Sequence, residues 1–147
     1  MGAEPYWYVV DYQEDIEAAL QALRKREFEA GRYYPATMLP EYPIGPNSPS
    51  PGAQHSSYEE AMEASEAEGT HSILDLMSTG PEPDFCTAGP LPEEALARLF
   101  GTTQPTREMV EGKWELFNDY DRGHGVYIVL YTDSVPSEIF FGGLSFD

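Results

Sequence analysis

Val126-Tyr127-Ile128-Val129-Leu130-Tyr131, followed a few residues later by Ser137-Glu138-Ile139-Phe140-Phe141, is the pair of runs on which the fold turns. The first run is β-branched, aromatic and apolar on both faces, which suits a central strand better than a solvated edge. The second is predicted to pair back on it as a hairpin, with residues 132–137 as the turn. Behind them, Gly142-Gly143 marks a bulge or a close backbone approach before Leu144 and Phe146.

Two further strands are expected upstream. Tyr6-Trp7-Tyr8-Val9-Val10 has the composition of a largely buried N-terminal strand, and Ile73, Leu74 and Leu76 read as a short middle strand. A turn at Gly80-Pro81-Glu82-Pro83 follows, leading to Asp84-Phe85-Cys86-Thr87.

About four helices fill the intervals. Asp11 and Glu14 have capping-box spacing, and Ile16, Ala19, Leu20, Leu23 and Phe28 keep the helical repeat up to Gly31. Acidic residues come early in this helix and Arg24, Lys25 and Arg26 late, the order that complements the helix dipole. Ser57 and Glu60 form a second capping box, ahead of a short helix lined on one side by Tyr58, Ala61, Met62 and Ser65 and stopped at Gly69. Pro92, Glu93 and Glu94 open a third helix that ends at Gly101. Pro105 opens a fourth, carrying Met109, Val110, Trp114 and Phe117 and ending near Arg122-Gly123.

Residues 33–56 differ from the rest. Pro35, Pro40, Pro43, Pro46, Pro49 and Pro51 interrupt any regular ladder, so a long irregular loop is expected, pinned by Tyr33, Tyr34, Met38, Leu39, Tyr42 and Ile44. Prolines 40, 43, 46 and 49 recur every three residues, which on a polyproline II helix aligns them along one edge. Packing of the loop is the expected use. The expectation is a single α+β domain over residues 1–147, with a small mixed or antiparallel sheet made of the N-terminal strand, the middle strand and the C-terminal hairpin.

Charge narrows the function. The chain has 147 residues, with 8 Lys and Arg against 26 Asp and Glu, a formal net charge of −18. Its isoelectric point is near 4.2. A nucleic-acid phosphate backbone and an anionic membrane surface are both repelled by such a charge. The helix, turn, helix and hairpin from 92 onward follow the order of a winged helix-turn-helix, but Arg107 stands where the second helix needs a core residue. Residues 88–147 also carry 4 basic against 10 acidic side chains.

Cys86 is the single cysteine, so no disulfide closes within the chain. The opening residues have neither a basic stretch nor an apolar run of signal-peptide length, and no stretch is long enough to cross a bilayer. A cytoplasmic protein is therefore expected.

Catalytic motifs are missing. No phosphate loop, dinucleotide fingerprint or nucleophile elbow occurs, and His55, His71 and His124 lack the spacing of a metal helix. No cofactor, metal or catalytic residue is assigned. The positive feature is Glu59, Glu60, Glu63, Glu66 and Glu68 on one short helix, read as a face for a basic protein partner, as in an intracellular inhibitor, an immunity protein or a nucleic-acid mimic. The competing reading is a small enzyme or ligand-binding domain, with a pocket built from the long loop and from His55, His124 and Arg122 of the Arg122-Gly123-His124-Gly125 turn.

Overall fold

The computed structural model describes residues 4–34, 44–48, 52 and 54–145. Within these, five strands form one mixed sheet: β1 (Pro5–Asp11), β2 (Ser78–Thr79), β3 (Thr87–Pro90), β4 (Gly125–Thr132) and β5 (Val135–Leu144), in the order β1-β5-β4-β3-β2. β5 runs antiparallel to both β1 and β4, whereas β2, β3 and β4 are mutually parallel neighbours. Four α-helices accompany them: α1 (Ile16–Ala30), α2 (Tyr58–Glu68), α3 (Glu93–Phe100) and α4 (Arg107–Val110). The architecture is α+β.

Period-two alternation divides the sheet's side chains between two cores. Tyr6, Tyr8, Ile139 and Phe141 face Leu20 and Leu23 of α1. Val126, Ile128, Leu130 and Phe140 face Leu96 of α3 together with Leu116 and Phe117. β4 is thus covered on both sides, as its apolar run predicts.

The hairpin is tighter than its sequence suggests. Asp133 and Ser134, at φ 51° and 64°, make a two-residue turn, and pairing resumes at Thr132 with Val135 instead of after Ser137. Positive φ at both central residues gives the turn the twist that flanking strands need. The register shift in this ladder lies at Leu130 and Tyr131. Gly142-Gly143 is the close approach: a Cβ on Gly143 would stand 2.5 Å from the Tyr6 hydroxyl oxygen.

Four local expectations are corrected. Asp11 is the last residue of β1, paired with Glu138, so the cap of α1 falls to Asp15, whose carboxylate accepts from Ala18 N–H at 3.0 Å. The last turn of α1 carries no basic residue, and Arg24 is buried. Ile73–Asp75 is a 3₁₀ turn, not a strand, because Ser72 caps it and the Asp75 carboxylate draws Thr70 and Ser65 inward. A short apolar run leaves strand and buried turn indistinguishable by periodicity.

The fourth helix is also cut short. α4 stops at Val110, Gly112 takes φ 77°, and a separate 3₁₀ turn covers Trp114–Phe117. Gly112 adopts that left-handed backbone without a Cβ penalty, which breaks a run whose apolar spacing continues past it. Gly31 and Gly101 end α1 and α3 in the expected way.

Of the Pro-rich segment, Tyr33, Tyr34 and Ile44 are buried. Ile44 pairs with the outer edge of β1, accepting from Trp7 N–H at 2.8 Å. Pro35, Met38, Leu39, Pro40, Tyr42, Pro43, Pro49 and Pro51 lie outside the described residues.

Candidate functional site

α2 begins where Ser57 accepts from Glu60 N–H at 3.2 Å. The Glu60 carboxylate completes the cap one residue early, accepting from the backbone and hydroxyl of Ser56 at 3.2 and 2.8 Å instead of reaching Ser57 N–H. These bonds to Ser56 hold the Glu60 carboxyl below its ordinary range. Ala61 and Ser65 are buried. Glu59, Glu60, Glu63, Glu66 and Glu68 are all exposed. Glu59, Glu63 and Glu66 lie at i, i+4 and i+7, a stripe on the side opposite the buried face.

The stripe rests on a firm base. Tyr58 meets Phe28 edge-on at 5.4 Å between ring centroids, and Phe28 stacks on Tyr33 at 6.0 Å. Ser65 donates to the buried Asp75 carboxylate at 2.7 Å. Arg24, 1% exposed, reaches from α1 to the Leu74 carbonyl at 3.0 Å, the Met77 carbonyl at 3.2 Å and the Met62 sulfur at 2.6 Å. Burial pulls the Arg24 pKa down from its usual value, against the raising pull of the Tyr58, Asp75 and Glu17 charges. Glu27 is likewise buried, held by the Arg32 guanidinium at 2.7 Å and Arg26 at 3.2 Å.

These buried ionic groups were not singled out from the sequence, though a signal is there. Arg24 follows Leu20, and Glu27 follows Leu23, each by one helical turn, so both continue the apolar stripe of α1 into the core. Asp75 carries no comparable mark.

The two histidines of the alternative pocket make different contacts among the described residues. His55 stacks on Tyr33 at 5.5 Å, with Nδ1 2.9 Å from the Tyr33 hydroxyl. His124 belongs to another cluster: its Nδ1 accepts from Asp121 N–H at 2.8 Å, its ring meets Tyr120 edge-on, and Nε2 stands 3.9 Å from Asp84. Arg122 is exposed on the same turn. His71 is buried between Thr70 and Ser72 at φ 52°. Cys86 is half-buried, and burial, reinforced by the Asp75 and Glu66 charges, pushes its thiol up to about 11. At neutral pH that is a protonated thiol, a poor nucleophile. Among the described residues, no three His, Cys, Asp or Glu side chains gather as metal ligands.

No protein-family model, characterised protein or solved structure matches this chain. The reading of its function therefore rests on its own residues. Among those described, no helix is long and apolar enough to cross a membrane.

Proposed function

We propose that this chain is a non-enzymatic binding protein of the cytoplasm that engages a basic protein partner through the Glu59, Glu60, Glu63, Glu66 and Glu68 face of α2. An inhibitor or immunity protein against a basic toxin, or a mimic of nucleic acid, is the concrete form.

One observation carries the reading: five exposed carboxylates stand on an eleven-residue helix that has no basic side chain of its own. A net charge of −18 adds self-repulsion to a small fold, and a positively charged partner supplies a reason for keeping it. Complementary charge chiefly accelerates encounter and excludes wrong partners. The contacts of α2 with Arg24, Phe28 and Asp75 present the stripe on an already ordered backbone.

The test is affinity capture from lysate of the native host, at about 50 mM and about 500 mM salt, with wild-type chain and the triple variant Glu59→Gln/Glu63→Gln/Glu66→Gln as baits. A basic protein retained by wild type at low salt, weakened at high salt and lost by the triple variant is the expected result. Retention indifferent to both salt and the triple substitution rejects the electrostatic face.

A further inference from the structure

β4 turns the peptide groups of Tyr127, Val129 and Tyr131 toward β3, because alternate residues of a strand share an edge. Tyr127 accepts there from Leu91 N–H at 3.1 Å, and Tyr131 donates there to the Pro105 carbonyl at 2.9 Å. Val129 lies between them, yet its N–H and C=O pair with no other described residue. β3 ends at Pro90, and the chain leaves the sheet for α3 before it can serve Val129.

This leaves a gap one residue long, closed at both ends by the chain's own hydrogen bonds. Val129 also lines a cavity of about 220 Å³, together with the apolar Leu91, Leu96 and Ile128, with Thr103, and with Glu93 as its charged residue. It stands at the carboxyl end of a parallel strand, where open sheets that carry helices commonly receive ligands. A strand passing through is barred by the closed ends. One extended residue fits, since it presents a donor and an acceptor at the spacing that Val129 offers.

We infer that this gap binds the α-amino group and adjoining carbonyl of a single residue with an aliphatic side chain. The ammonium donates to Val129 C=O and faces Glu93. The carbonyl oxygen accepts from Val129 N–H, and the side chain fills the Leu91, Leu96 and Ile128 wall. A free amino acid and the first residue of a peptide share this chemistry.

The test is titration of the full ¹⁵N-labelled chain with L-leucine, L-leucinamide and N-acetyl-L-leucinamide, each to about 20 mM, a range that detects millimolar affinity. Saturable movement of the Val129 amide with one or both of the first two probes is expected. Preference for L-leucine points to a free amino acid, and preference for leucinamide to a peptide N-terminus. The acetylated probe should bind at least about tenfold more weakly, a difference of about 1.4 kcal/mol. Thr103→Trp, which fills the cavity from its lining, should abolish the movement, and Glu93→Gln should weaken it with the amide spectrum otherwise retained.

Three results overturn the inference. These are no saturable movement at Val129 with any probe, equal affinity for the acetylated one, and binding undisturbed in both variants.

Discussion

Arg24 illustrates what one residue does here. Its guanidinium is shut inside the protein, and it donates to the Leu74 and Met77 carbonyls and to Gln21 Oε1 at 2.9 Å. Those acceptors sit where α1 meets the 3₁₀ turn and the stretch leading into β2, so one side chain ties three segments through charge-assisted bonds. Arg24→Met nearly preserves the apolar stem but strands the carbonyls, and should cost about 2–4 kcal/mol in urea denaturation. Arg24→Lys retains a charge without the planar fork, and should fall between the two. A Met variant within about 0.5 kcal/mol of wild type would show the bonds to be dispensable. The residue was hard to assign from the sequence, because three consecutive basic residues, 24 to 26, look alike until the face of the helix is fixed. Only Arg24 lies on the Leu20 side of it.

At the scale of elements, the pairing of β1 with β5 depends on absent atoms. Tyr6 lies opposite Gly143, and its hydroxyl is buried without a hydrogen-bond partner among the described residues. Burial raises the Tyr6 pKa well above its ordinary value, assisted by the Asp75 charge. The space is so tight that a methyl group on Gly143 would collide with that hydroxyl. Gly143→Ala should therefore destabilise by about 1–3 kcal/mol through overpacking. Tyr6→Phe discards an oxygen with no bond to lose, so it should be near neutral or stabilising, and should reduce the cost of the alanine when the two are combined. Strictly additive effects in that cycle would reject the steric account. The glycine pair was legible as a close approach, whereas its partner was not, since the residues are 137 positions apart in the chain. β1, β4 and β5 were legible from β-branched and aromatic runs, and α1 and α3 from helical apolar spacing bounded by a terminal glycine. The Ile73 turn and the split fourth helix were not, because an Asp75 hydrogen-bond cluster and one left-handed glycine outweighed local apolar spacing. The Glu stripe of α2 was legible as a face, whereas the ring contacts of His55 with Tyr33 and of His124 with Tyr120 required the fold.

For the whole molecule, the charge excess sets two opposing dependences. Self-repulsion among 26 acidic side chains disfavours the compact state, and dissolved ions screen it, since the Debye length falls from about 20 Å at 20 mM to about 4 Å at 500 mM. Raising salt over that range at pH 7 should therefore raise the urea midpoint. Lowering the pH removes the repulsion as carboxylates protonate, but it also removes specific support. Glu17, whose burial raises its pKa, is held below the ordinary range by hydrogen bonds from Gln21 and Thr79 and by the Arg24 charge. A carboxylate depressed in the folded state stabilises above its unfolded pKa of about 4.3, and that contribution is lost as pH falls through the folded value. Near pH 4.2, where the net charge vanishes, the salt dependence should disappear, and the difference between wild type and Glu17→Gln should already be shrinking. Stability that is flat with salt at pH 7, or that rises equally with salt at both pH values, would mean that repulsion costs this fold nothing. The charge on α2 would then lose its claim to need a counterpart.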